Sequence, residues 1–186
     1  MDALTRTLLD ARRGDAAAME RFVRDTWSDV GSLCRYLGDP DSVDDLVQET
    51  YQRAFVALPR YRATGPARHW LLTIARRTCA DHTRRRTRSR RLDRRVRDLV
   101  PLESGSIDSV PAEIDDLLHV LDEDRRAAFV LTQLHGLRYD EAAAVLDVPV
   151  GTIRSRVSRA RDQLVATLHP AADAPVVPAK FAELRR

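Results

Sequence analysis

Between Gly151 and Arg161 the chain reads Gly-Thr-Ile-Arg-Ser-Arg-Val-Ser-Arg-Ala-Arg. Ile153, Val157, Ala160 and Leu164 recur at spacings of four, three and four, the period of a helix with one apolar stripe. The other side must then carry Arg154, Ser155, Ser158, Arg159, Arg161 and Asp162 outward. Guanidinium forks and short hydroxyls bind the base edges and phosphates of a DNA major groove. Thr152 adds a hydroxyl beside unpaired backbone amides at the helix start, a combination suited to phosphate. One exposed arginine signals only a solvated face, but four within eight residues, directly after a helix break, signal a binding surface.

A second set has the opposite character. Asp45, Gln48, Glu49 and Gln52 fall on one side of a segment whose other side holds Val43, Leu46, Val47, Thr50, Ala54, Phe55 and Leu58. Phosphate would repel this acidic and amide stripe, so it serves either a protein partner or only water. Charge is segregated along the chain. Residues 76–97 contain eleven Arg against Asp81 and Asp93, and the remainder sums to a negative value although the whole carries +3. The partner of the basic block is therefore local and polyanionic, with nucleic acid the first candidate.

Other chemistries lack their parts. Cys34 and Cys79 are 45 positions apart, without a CxxC or a neighbouring Cys/His cluster, and read as two core thiols. Cys79 with His82 gives two ligands where structural zinc takes about four. The order Asp81-His82 reverses the metal dyad of HD phosphohydrolases. There is no Gly-rich phosphate loop, GxSxG elbow or paired-carboxylate site, so no enzymatic activity, metal or cofactor is expected. No run approaches the roughly 20 apolar residues of a membrane span, and the first residues lack a secretory apolar stretch, so a cytoplasmic protein without membrane insertion is expected.

Periodicity of three and four throughout, with no convincing alternation of two, predicts an all-α chain. Helices are expected from about Leu4 to Arg13, from Asp15 as N-cap to Leu37, and from a Ser42/Asp45 capping box to Leu58. A turn-rich loop over 60–66 then leads to a helix carrying Trp70, Leu71, Ile74 and Ala75 into the arginine run. Shorter helices are expected at Ala112–Leu121, Asp124–His135, Tyr139–Leu146 and Val150–Leu168. The last two, joined by the break Asp147-Val148-Pro149, make a helix-turn-helix. This divides the chain into a unit over 1–86, a linker over 87–111, a second unit over 112–169 and a disordered tail over 170–186.

Three blocks in order now carry a resemblance. The run 44–51 (Asp-Asp-Leu-Val-Gln-Glu-Thr-Tyr), then 68–76 (Arg-His-Trp-Leu-Leu-Thr-Ile-Ala-Arg) and 81–85 (Asp-His-Thr-Arg-Arg), resembles region 2 of bacterial RNA polymerase sigma factors. The direct passage to a helix-turn-helix is similar to the extracytoplasmic-function group, which keeps only regions 2 and 4. The resemblance covers about Ala16 to Leu168.

What it implies is transferred residue by residue. Asp45, Gln48, Glu49 and Gln52 match the surface that docks on the clamp helices of core RNA polymerase. Arg60, Arg62, Arg68, Arg76 and Arg77 match the part that captures the minus-ten promoter element as single-stranded DNA, with Trp70 kept as structural. Arg154, Ser155 and Arg159 match exposed recognition-helix positions that read the minus-thirty-five element, with Thr152, Ser158 and Arg161 as phosphate or flanking contacts. Many relatives have Asn where this chain has Arg77, so their minus-ten preference does not transfer. Relatives are often restrained by an anti-sigma factor, which makes one a candidate partner beside core polymerase and promoter DNA. The other readings open to the residues are a response-regulator-type transcription regulator, which would need an upstream α/β domain, and a helical adaptor that binds nucleic acid without sequence choice.

Overall fold

The computed structural model describes residues 1–93 and 112–168, with side chains for 1–86 and 114–168. The described residues are all helical apart from turns and loops, as the periodicity predicts. Four helices form the first unit: α1 (Ala3–Arg12), α2 (Ala16–Leu37), α3 (Val43–Ala57) and α4 (Ala67–Asp93). The second unit holds α5 (Ala112–His119), α6 (Glu123–Phe129), α7 (Tyr139–Leu146) and α8 (Val150–Leu168). Helix α4 runs past residue 86 as far as Asp93. The rest of the expected linker and the expected tail from 170 lie outside the described residues.

The core of the first unit is the meeting of α2, α3 and α4, where Phe22, Val30, Leu33, Leu46, Val47, Leu71 and Leu72 lose nearly all contact with water. Cys34 and Cys79 are buried among them as free thiols. Polar groups set the register. The hydroxyls of Thr26 on α2 and Tyr51 on α3 share a hydrogen bond of 2.9 Å. Burial, despite that bond, pushes the Tyr51 phenol up to about 12. At the start of α4, the Ala67 amide donates to the buried Thr5 hydroxyl at 2.9 Å, and that hydroxyl donates to Asp2 at 2.6 Å. Asp2 also caps α1, accepting the Thr5 amide at 2.8 Å. One short polar chain thus fixes both helix starts and the loop that precedes α4.

Two local expectations are corrected. Ser42 makes no side-chain cap, because Asp39 and Pro40 build a short 3-10 turn over Pro40–Ser42 in which Asp39 accepts the Asp41 amide. The helix expected over Asp124–His135 starts after Asp122, whose carboxylate accepts the Arg125 amide at 2.8 Å. It ends in one π turn over Val130–Leu134, which closes on Gly136 with φ at +68°. Asp15 caps α2 as expected, by accepting the Ala18 amide at 3.0 Å.

Candidate nucleic-acid and partner interfaces

Helix α8 is built as its spacing requires. Ile153, Val157, Ala160 and Leu164 of α8 are buried, while Arg154, Ser155, Ser158, Arg159 and Arg161 are exposed and Thr152 is half-buried. The break before it is sharp because Asp147 takes the left-handed conformation at φ +55°. The Val148 amide then returns to the Ala143 carbonyl at 3.1 Å, and Pro149 opens the next helix, its carbonyl accepting from Thr152 at 2.9 Å. Two neighbours hold arginines of this helix in place: Arg156 pairs with Asp124, and Arg161 donates to Gln133 at 2.7 Å. Arg154 and Arg159 project to water and form the open part of the face.

The acidic-amide stripe lies on the outer side of α3. Asp45, Gln48 and Gln52 are exposed. Glu49 is half-buried and differs from them: Arg53 donates to it at 2.5 Å, and Arg85 approaches at 3.4 Å. Arg53 also donates to Asp81 on α4 at 2.8 Å, which together with charge attraction holds the Asp81 carboxyl below its ordinary range. Phe55 was expected on the covered side but is 38% exposed, because Tyr51 fills the position against α2 and tilts toward Phe55 at 6.1 Å. Val56 is 82% exposed. Trp27 of α2, 46% exposed, stacks on Tyr51 at 5.9 Å. The stripe therefore continues into an apolar and aromatic end that reasoning from the sequence missed. The exposed Val56, four residues after Gln52, was the available signal.

The loop over 60–66 and the first turns of α4 place Arg60, Arg62 and Arg77 in solvent and leave Arg76 half-buried. Tyr61 is buried and meets Trp70 at 4.9 Å between ring centres, so Trp70 serves largely as wall. Between them the loop and helix border a cleft of about 500 Å³, with Arg60, Arg62, Thr64 and His69 at its edge. Ala63 in this loop sits at φ +52°, a left-handed backbone that alanine rarely takes.

Arg68 stands apart from the other arginines of this group. Its guanidinium faces inward, donating to Asp29 of α2 at 2.7 and 2.8 Å and to the His135 carbonyl of the second unit at 3.1 Å. Burial alone would raise the Asp29 carboxyl, but hydrogen bonds from Arg68 and His135 outweigh it and hold that carboxyl well below the usual carboxylate range. A depressed carboxyl stabilises the fold fully above its unfolded value of about 4 and stops doing so as pH falls through the native value. Stability measured by chemical denaturation should therefore decline below about pH 4, and Asp29→Asn should flatten that decline. An equally steep decline in the variant would remove Asp29 as its source.

Among the described residues no group of three or more His, Cys, Asp or Glu side chains is arranged to hold a metal ion. No described helix is long and apolar enough to cross a membrane.

Comparison with known proteins adds two family models, "Sigma-70 region 2" over residues 30–89 and "Sigma-70, region 4" over residues 112–164. The chain is 46% identical over 175 residues to the ECF RNA polymerase sigma factor SigC of Mycobacterium tuberculosis, covering 91% of this chain and 93% of that one. It is 34% identical to the ECF RNA polymerase sigma factor SigE of Mycolicibacterium smegmatis, over 88% of this chain and 67% of the relative. Among solved structures, CnrH in complex with the cytosolic domain of CnrY matches with a TM-score of 0.72 and 30% identity, covering 92% of this chain and 100% of that one. The sigma factor RpoE of Bartonella quintana, in complex with the anti-sigma factor NepR, matches with a TM-score of 0.69 and 28% identity, over 83% and 98% of the two chains.

Proposed function

Because the chain belongs to the sigma-70 family of RNA polymerase sigma factors, in its extracytoplasmic-function group, we propose how its surfaces divide the work of promoter-specific initiation. A sigma factor directs core RNA polymerase to promoters, and that is the function of this protein.

Asp45, Gln48 and Gln52, with Glu49 behind them, dock on core polymerase, and Trp27, Phe55 and Val56 supply the apolar end of that contact. A polar stripe beside a few exposed large apolar groups is the composition expected of a protein interface with a small energetic centre. Arg60, Arg62, Arg76 and Arg77 hold the backbone of the minus-ten strand around the cleft beside Tyr61 and Trp70. Arg68 acts there as a positioning residue, since its guanidinium is committed to Asp29. Arg154, Ser155 and Arg159 read the minus-thirty-five duplex, and Thr152, Ser158 and Arg161 fix its phosphates. Two readers on one chain give bivalent binding, whose strength depends on the residues that join them.

The protein itself performs no catalysis on this reading, and bond formation belongs to the polymerase. It acts in the cytoplasm, where the polymerase is. The two matched structures of sigma factors bound to CnrY and NepR support an anti-sigma factor as a further partner.

The single observation that carries the DNA assignment is the exposed Arg154/Arg159 face over a fully buried stripe. Arg154→Ala or Arg159→Ala should each weaken binding to the cognate minus-thirty-five duplex by about 1–3 kcal/mol and relax sequence choice at one position. Binding titrations on duplexes changed one base pair at a time check this. A loss of equal size on every duplex would reassign that arginine to the phosphate backbone.

A further inference from the structure

Elements of both units meet around a cavity of about 300 Å³ that none of the contacts assigned above uses. Asp39 borders it just after α2, His82 and Arg86 face it from α4, His119 from the end of α5, and Glu123 and Arg126 from α6. Asp39 is paired with Arg86. Glu123 is exposed to solvent.

Arg126 is the unbalanced charge of this set. Among the described residues it has no carboxylate in contact, and every hydrogen bond it makes goes to a neutral group. Its Nη2 donates to the Leu121 carbonyl at 2.9 Å and to the His119 carbonyl at 3.4 Å, and its Nη1 donates to Nδ1 of the His119 ring at 3.1 Å. Its Nε is buried without any partner. Burial pushes the guanidinium below its ordinary value although Glu123 and Asp122 attract it through space. A guanidinium taken out of water with only neutral partners is a costly arrangement, and an added anion relieves it. His82 brings a second orphan to the same cavity, since its Nδ1 is also buried without a partner. His119 supplies a third donor, because a ring that accepts from Arg126 at Nδ1 carries its proton on Nε2.

The donors that remain select the ligand. Nη2 of Arg126 already makes two bonds, so neither fork that grips a planar carboxylate, Nε with Nη2 or Nη1 with Nη2, is open. Single donors are left on three different helices: Nε of Arg126 on α6, Nδ1 of His82 on α4 and Nε2 of His119 on α5. A phosphate offers separate acceptor oxygens to match them. We propose that this cavity is a binding site for a phosphate group, free or carried on a small organic molecule, held by Arg126, His82 and His119. Its volume stands at the lower end of small-molecule sites, which span about 300–1,000 Å³, and suits a phosphate monoester of modest size. With donors from both units, the bound phosphate bridges α4 to α5 and α6 and stabilises the folded chain by mass action.

Isothermal titration calorimetry of the full chain tests this, in a buffer free of phosphate and sulfate. Inorganic phosphate, adenosine monophosphate and succinate are separate titrants, and sodium chloride at matched ionic strength is the control. One saturable site is expected for phosphate. Equal affinity for inorganic phosphate and the nucleotide supports a site for the free ion, and tighter binding of the nucleotide supports a site for a phosphate monoester. Heats no larger than those of chloride for both, or succinate bound as tightly as phosphate, would overturn the proposal. Arg126→Gln and His82→Phe should each weaken binding by about tenfold or more. Arg84→Ala, on the exposed side of α4 and outside the cavity, should leave it unchanged. His82→Phe keeps the bulk of the ring and every bond of Arg126, so it decides the matter even where Arg126→Gln fails to fold. Parent-like phosphate binding by His82→Phe with native circular dichroism, or a loss in Arg84→Ala as large as in His82→Phe, would reduce the effect to the diffuse charge of the arginine run and overturn the site.

Discussion

Replacing Asp45, Gln48 and Gln52 together by alanine is expected to weaken binding to core RNA polymerase by about 100-fold or more, while helicity and thermal stability stay within experimental error of the parent. All three side chains are exposed on the outer side of α3. Alanine is the best helix former, so none of the three changes threatens the helix. Interface centres typically lose about 2 kcal/mol or more on truncation, and three adjacent losses exceed a hundredfold even when they add poorly. Glu49 is left out on purpose. Its carboxylate holds Arg53, which in turn holds Asp81, so Glu49→Ala would disturb the α3–α4 contact as well as the surface. Fluorescence anisotropy of labelled protein against core enzyme gives the affinity. Parent-like binding by the triple variant would move the docking surface elsewhere, with the neighbouring Trp27, Phe55 and Val56 the next place to look.

Phe22→Ala should have the largest effect on stability. Phe22 is fully buried at the centre of the α2–α3–α4 packing, and its backbone carbonyl also accepts the Thr26 hydroxyl at 2.7 Å. Emptying a closed site of this kind costs about 3–5 kcal/mol, against a total stability of about 5–15 kcal/mol for an ordinary domain. The loss should appear as a lower denaturation midpoint in urea with an unchanged slope. Polymerase docking and minus-ten contacts should decline together, because both surfaces are carried by helices that share this core. A loss below about 1 kcal/mol would mean that neighbouring helices close over the gap.

The helices most legible in the sequence were those with strong signals at both ends and a clean period between them. α2 begins at its Asp15 cap and ends before Gly38, α7 stops at the left-handed Asp147, and α8 follows Pro149 with a complete buried stripe. What escaped was decided by contacts distant in the chain or by competing local turns. Phe55 lies at the margin of the α3 apolar arc, and only the presence of Tyr51 against Trp27 and Thr26 settles that Phe55 turns outward. The Ser42 cap lost to the turn begun by Asp39 and Pro40. Arg68 looked like its arginine neighbours because sequence spacing says nothing about Asp29, 39 positions away, or about His135 beyond it. The recognition face needed no such distant partner, since helix period alone sorts its residues inward and outward.

Ala63 bears on the minus-ten role proposed for the loop over 60–66. A glycine there would accept φ +52° without protest, yet it would also let the loop wander through many shapes before DNA arrives. Alanine tolerates the left-handed geometry at some energetic disadvantage and has fewer alternatives. In the role proposed for it, the loop would confront an incoming strand with its contour already chosen, so less disorder would remain to be frozen out at the moment of capture.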